Sequence, residues 1–233
     1  YQRLLNTARA KKLADYIIKG QDSHDAFLPT SVFLATDKSL PFNDINAIVE
    51  DDRQNLWMGT NGGGLIYFDR SKNTYRQYLH DPNDSHSLTT NVIVSLFIDR
   101  HKTLWVGTYF GGLLSFDGEH FVRYKHDPDN PQSISDNSVW EIFEDSAGNL
   151  WIGTLTQGLD RFDRKKKHFY HYNLEGSNPI HASYIPAFME DSQGNLWIGT
   201  GYGIDVLEKK SGRFRHHLNR VDDSGSLSNN SVV

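Results

Sequence analysis

The 233-residue sequence has no cysteine, which removes disulfides and thiol chemistry and leaves the choice between cytoplasm and periplasm open. It also lacks a segment with the length and apolarity of a membrane span or a signal-peptide core, since the first 30 residues are too charged for either. A clustered basic face is missing too. The formal net charge is −5 and the only dense run is Arg164-Lys165-Lys166-Lys167, so a phosphate-binding surface is not expected and that run reads as a solvated turn. Gly62-Gly63-Gly64 is followed by neither Gly-Lys-Ser/Thr nor a helix, which excludes a phosphate-cradling loop. A Gly-x-Ser-x-Gly elbow is also absent, which leaves a serine hydrolase of that class unsupported.

What the sequence does contain is a repeat. Asn55-Leu56-Trp57-Met58-Gly59-Thr60 recurs as Thr103 to Thr108, Asn149 to Thr154 and Asn195 to Thr200, with tryptophans spaced by 48, 46 and 46 residues. A period in that range marks stacked supersecondary units, none of which can bury its apolar surface alone. An Asp stands six residues before each Trp (Asp51, Asp99, Asp145, Asp191), and Gly-Leu or Gly-Ile follows it (Gly64, Gly112, Gly158, Gly203). Phe-Asp then recurs at Phe68, Phe116 and Phe162, degraded to Leu207-Glu208, and an aromatic pair closes each unit: Tyr75/Tyr78, Phe121/Tyr124, Phe169/Tyr172 and Phe214/His217. A Ser-Leu-like step and an Asn open the next unit at Ser39/Asn43, Ser87/Asn91, Ser133/Asn137 and Ser226/Asn230; the remaining unit carries Ser183 in place of the Asn.

Each unit reads as four short strands. In the third, Val139 to Glu144, Leu150 to Thr154, Leu159 to Asp163 and Phe169 to Asn173 have strand lengths, and the third of these alternates with period two. Ser146-Ala147-Gly148-Asn149 and Ser192-Gln193-Gly194-Asn195 supply the turn residues of tight hairpins. Four antiparallel strands repeated at this period predict an all-β fold, a β-propeller of four-stranded blades. Pro186, aligned with Asn46, Val94 and Trp140, is expected in a first strand at the channel-lining edge, where no ladder donor is required.

The units are placed at about 43–80, 91–126, 137–174 and 183–219, with the start of a fifth at 226–233. Propellers close with roughly four to eight blades. A longer chain, or ring completion by a second protomer, is therefore expected. Val32-Phe33-Leu34 matches the fourth strand of a preceding blade. Residues 1–30 stand outside the repeat, and Leu5, Ala8, Leu13, Ala14, Ile17 and Ile18 suggest an appended amphipathic helix stopped by Gly20.

The repeated residues read as structure. Each indole, wedged between neighbouring blades and burying about 150–250 Å², contributes about 4–6 kcal/mol as an upper bound. The four aspartates sit where a carboxylate caps backbone N–H groups, and a repeated carboxylate has one environment, whereas an acid–base pair needs two. The loops opened by His80-Asp81-Pro82 and His126-Asp127-Pro128 are rich in oxygen but lack the calcium-loop ligand order, and read as proline-started turns. His168 and His171 should face opposite ways on a strand, and the eleven histidines show no zinc-like spacing. Neither catalytic residues, metal nor cofactor is assigned.

Recognition is expected where the repeat breaks. After each Gly-Thr the units diverge at Asn61; at Tyr109 and Phe110; at Leu155, Thr156 and Gln157; and at Gly201 and Tyr202. These loops join second and third strands on one end of the scaffold. Trp140 and Glu141 are outliers in a channel-lining strand. Asn61, Tyr109, Phe110, Thr156, Gln157, Tyr202, Trp140 and Glu141 are thus the candidate ligand-binding residues, suited to an oligosaccharide or a peptide.

The composite motif, from Asn-Leu-Trp-Ile-Gly-Thr through Gly-Gly-Leu and Phe-Asp to the joint His-Asp-Pro…Ser-Leu/Ile…Asn, resembles the two-component regulator propeller repeat over residues 31–233. That resemblance implies seven-bladed propellers, often in tandem, in the extracytoplasmic, periplasmic sensor region of membrane-bound bacterial histidine kinases, hybrid regulators or diguanylate cyclases. It also implies oligosaccharide ligands for some members and an output domain beyond Val233. A non-catalytic sensing and binding module is the expected function. A propeller lyase or hydrolase, with Glu141 in the acid–base machinery, and a protein-interaction scaffold are the alternatives.

Overall fold

A computed structural model describes residues 45–232. The helix expected within 1–30, the strand at Val32-Phe33-Leu34 and the first Ser39/Asn43 joint lie outside the described residues. The described chain forms sixteen strands in four antiparallel sheets. The first sheet contains β1 (Ile45–Glu50), β2 (Leu56–Thr60), β3 (Leu65–Asp69) and β4 (Thr74–Tyr78). The second contains β5 (Ile93–Ile98), β6 (Leu104–Thr108), β7 (Leu113–Phe116) and β8 (Phe121–Tyr124). The third has β9 (Val139–Glu144), β10 (Leu150–Thr154), β11 (Leu159–Asp163) and β12 (His168–Tyr172). The fourth has β13 (Ala187–Glu190), β14 (Leu196–Thr200), β15 (Gly203–Leu207) and β16 (Phe214–His217). Strands follow chain order within every sheet, and the first strands of successive sheets lie beside one another. These are the propeller blades expected from the period.

The turn before each Trp is built by its Asp. One carboxylate oxygen of Asp51, Asp99, Asp145 and Asp191 accepts the backbone N–H four residues on, at 2.8–3.0 Å. The residue three after the Asp takes a left-handed backbone: Gly148 and Gly194 in two units, but Gln54 (φ 64) and Lys102 (φ 67) in the others. The capping role is therefore as expected, and it has a second half. The other carboxylate oxygen of Asp99, Asp145 and Asp191 accepts the indole N–H of Trp105, Trp151 and Trp197 at 2.9, 2.8 and 2.9 Å. One side chain thus closes the turn and satisfies the polar edge of a buried ring.

The first three Trp residues pack against the next sheet. Trp57 meets Phe116 edge-on at 5.4 Å, and Trp105 meets Phe162 edge-on at 5.5 Å. Trp151 lies in a cluster with Leu196, Ile198 and Phe214, because Leu207 replaces the Phe of the earlier units. Trp197 is half-buried and stacks on His217 at 5.7 Å with an interplanar angle of 12°. The glycine of the Trp box is needed for the same closeness: a Cβ on Gly153 would stand 2.5 Å from the Ile185 carbonyl oxygen and 2.8 Å from its side chain.

Two expectations need correction. Pro186 is not within a first strand; it immediately precedes β13. Asn46, Val94 and Trp140 occupy bulges in β1, β5 and β9, where the register shifts. A proline at that aligned position costs no ladder bond, and the strand simply starts one residue later. The basic run is only partly a solvated turn. Lys165 to Lys167 are exposed, but Arg164 turns back to reach Asp99 of the second sheet at 3.1 Å and Glu144 at 2.8 Å, both carboxylates being almost fully buried. Burial by itself would raise the Asp99 carboxyl, but the Trp105 indole N–H, the Thr103 N–H and the Arg164 guanidinium outweigh it and hold the group below its ordinary value.

Two outcomes follow. Gly153→Ala should lower unfolding free energy in urea by about 1–3 kcal/mol through overpacking of the third and fourth sheets; unchanged stability would mean that they do not meet there. Arg164→Met, which leaves the buried Asp99 carboxylate without its cation and Glu144 with Arg100 alone, should cost about 3–5 kcal/mol in the same measurement, and Arg164→Lys should restore only part of it.

Candidate functional site

The loops that follow each Gly-Thr are locked at both ends. Thr60, Thr108, Thr154 and Thr200 donate their hydroxyls to the carbonyls of Gly64, Gly112, Gly158 and Gly203 at 2.7–2.9 Å. The N–H groups of those four glycines donate in turn to the carbonyls of Asn91, Asn137, Ser183 and Asn230 in the following joint. Gly112 shows why no other residue serves: its φ is 86°, and a Cβ there would lie 2.2 Å from the Tyr124 carbonyl oxygen. The Asn91 and Asn137 side chains accept the N–H of His80 and His126, at 2.7 and 2.9 Å, and so bind each joint to the strand it leaves. The acidic loops cap themselves as expected of turns, Asp81 accepting Asn83 N–H at 2.9 Å and Asp127 accepting Asp129 N–H at 3.0 Å.

On this scaffold the sequence-derived candidates form a connected row. Asn61 is exposed and bridges to Val92, whose carbonyl accepts Tyr109 N–H at 3.1 Å. Tyr109 and Phe110 rest ring to ring at 4.1 Å, with Phe110 68% exposed and in a left-handed backbone (φ 59°). The Ser138 hydroxyl receives Phe110 N–H at 3.3 Å and its carbonyl receives Leu155 N–H at 3.0 Å, which places two loops around the start of β9. Trp140, two residues on, is half-buried and meets Tyr184 edge-on at 5.5 Å. The Tyr184 carbonyl accepts Gly201 N–H at 3.1 Å, which sets the loop bearing Tyr202, 53% exposed. Thr156 is held by Asp136, which accepts its N–H and hydroxyl at 2.9 and 2.7 Å, while Gln157 N–H donates to the Thr154 hydroxyl at 3.0 Å. Glu141 is half-buried in β9 opposite Gly153.

Sequence reasoning did not include Tyr184 or Asp136. Tyr184 had a signal: it is the aromatic at a position held by Val92 and Ser138 in earlier units. A further pattern emerges where third and fourth strands pair. Asp160 faces His171 and Asp205 faces His216, both at 2.7 Å and both with fully buried carboxylates. The other two sheets carry Ile66 with Gln77 and Leu114 with Arg123 at those positions. Asp160 also accepts the N–H and hydroxyl of Ser135, at 2.8 and 2.9 Å, and so ties the incoming joint to the third sheet. Its hydrogen bond raises the His171 imidazole above its ordinary value.

A family model of the two-component regulator propeller matches residues 39–62, 87–110, 133–156 and 179–202, four segments each running from a joint to the loop after Gly-Thr. Among solved structures the chain is similar to the extracellular domain of a hybrid two-component system from B. thetaiotaomicron, at 26% identity and a TM-score of 0.69, over 77% of this chain and 25% of that one. The chain thus spans about a quarter of that relative. PorZ, a surface component of the type-IX secretion system of Porphyromonas gingivalis, aligns at 15% identity and TM-score 0.60 over 80% of this chain and 28% of its own. Virginiamycin B lyase from Staphylococcus aureus aligns at 15% identity and TM-score 0.57, over 76% and 56% respectively. The last two likenesses show a shared fold alone. No curated protein matches the chain.

The raised His171 value generates a pH-dependent outcome. The native state favours the charged imidazole, so its contribution is fully present below the unfolded value near 6.5 and is lost as pH rises through the folded value. His171→Gln keeps a donor but not the charge, so it should lower the melting temperature more at about pH 5.5 than at about pH 8.5. An equal loss at both would show that His171 acts through its hydrogen bond alone.

Proposed function

The chain belongs to the two-component regulator propeller family, and from that membership we propose a ligand-sensing module, non-catalytic in itself, of a membrane-bound bacterial signal-transduction regulator. Its sheets are homologous to the extracellular domain of a two-component system, which supports an extracytoplasmic setting. Among the described residues no helix is long and apolar enough to cross a membrane. The remainder of the ring, from the same chain or from a second protomer, and an output domain outside this chain complete the proposed protein.

One observation carries the binding role. Tyr109, Phe110 and Tyr202 on the loops after Gly-Thr, Trp140 near the start of β9 and Tyr184 just before β13 bring aromatic rings onto segments pinned by backbone bonds, with Phe110 and Tyr202 more than half exposed. These rings are not part of the repeated core: Phe110 and Tyr202 are exposed, and Tyr109, Trp140 and Tyr184 are half-buried. Flat faces held by a rigid frame suit stacking on sugar rings, with Asn61, Thr156 and Gln157 as adjacent polar groups.

A panel of oligosaccharides and peptides screened by thermal stabilisation, followed by calorimetry, tests this. An oligosaccharide should raise the melting temperature, and Phe110→Ala or Trp140→Ala should weaken its binding at least roughly fivefold while leaving the fold intact. Peptide binding instead would change the ligand class. Failure of every class, or wild-type affinity in both variants, would overturn the assignment of this face.

A further inference from the structure

The third and fourth sheets share one polar device and differ in a single member of it. In the third, the Asp160 carboxylate accepts from three donors: His171 Nδ1, Ser135 N–H and Ser135 hydroxyl. His171 then spends its other ring nitrogen on the Pro131 carbonyl at 3.0 Å. In the fourth sheet the backbone bond is kept, His181 N–H donating to Asp205 Oδ2 at 2.6 Å, and His216 Nδ1 keeps its contact with Asp205 Oδ1 at 2.7 Å. The hydroxyl is gone. His181 stands where Ser135 stands, and its ring lies edge-on to that of His216, with centroids 4.1 Å apart. Among the described residues no carbonyl takes the place of Pro131 for His216 Nε2. A buried carboxylate therefore faces two imidazoles and receives one donor fewer than its counterpart.

We infer that His181, Asp205 and His216 form a binding site for one divalent transition-metal ion of the zinc class. One ligand atom from each can be chosen so that all lie within 4.8 Å of one another. His216 Nδ1 and His181 Nδ1 are 2.7 and 3.9 Å from Asp205 Oδ1. Tetrahedral zinc with bonds near 2 Å needs ligand atoms about 3.3 Å apart. These two separations bracket that value and no pair in the set exceeds 4.8 Å, so the adjustment the ion requires of the side chains is at most about 1.5 Å. Two imidazoles with one carboxylate form the three-ligand set of open zinc sites, and nitrogen ligands disfavour calcium and magnesium. Asp205 and His216 are preset by the register of β15 and β16. The histidine side chains are 35% and 29% exposed, which gives the ion a route in and leaves a coordination position for water or an added ligand. The ion would clamp the joint carrying His181 onto the fourth sheet, beside the Tyr202 ring 6.2 Å from His181. The inference does not depend on the aromatic face binding sugar.

The test uses the chelator-treated full chain, with no carbohydrate present. Titration with cobalt(II) should give the intense visible bands of a tetrahedral nitrogen and oxygen site at one equivalent, and zinc should bleach them and raise the melting temperature. His181→Ser installs the residue that the third sheet uses, so the variant should fold, with cobalt affinity reduced roughly tenfold or more. His216→Gln should show the same loss. No cobalt spectrum, or wild-type affinity in His181→Ser, would overturn the site; the second result would mean that the metal is held by other surface histidines.

Discussion

The structure rests on the burial of one sheet's tryptophan by the next sheet. A four-stranded sheet of this size exposes an apolar face that water penalises, and no single unit has anything of its own to cover it. Trp57 on Phe116 and Trp105 on Phe162 show the solution, repeated as edge-on contacts between successive sheets. The indole N–H would be a liability at that depth. The Asp that shapes the preceding turn accepts it, so turn, ring and interface form one unit. Arg164 adds an ionic bond between sheets at the same end, bringing Asp99 and Glu144 under one guanidinium.

That arrangement was legible in the sequence because its elements are local. Asp99, Lys102 and Trp105 lie within seven residues, the strands alternate with period two, and repetition at a fixed interval separates signal from accident. Long-range polar pairing was not legible in the same way. Asp205 meets His216 eleven residues away and His181 twenty-four residues away, and only the strand register brings them together. Arg164 read as part of a solvated run because charge density says nothing about which member turns inward. Pro186 reads as a first-strand residue needing no ladder donor, but that its aligned position is a bulge in the other three sheets, and lies just ahead of β13 here, is not readable from spacing.

Most of the candidate recognition residues were visible as departures from the repeat, and the geometry explains why departures are tolerated there. The glycine and threonine bonds fix the ends of each loop, so the side chains between them can differ from unit to unit. Tyr184 escaped notice because its unit lacks the Asn that marks the joint elsewhere. Replacement of a repeat residue by one with more chemistry, Ser135 by His181 across the two sheets, is the same kind of departure inside the scaffold.

The central claim is that neighbouring sheets are energetically one body through these aromatic wedges. A double-mutant cycle between Trp105 and Phe162, each replaced by Ala alone and together and followed by urea unfolding, measures it directly. Coupling of about 0.5–1.5 kcal/mol between the two rings is the predicted result. Strict additivity, with both single variants destabilised, would show that each ring is buried within its own sheet and would contradict the account.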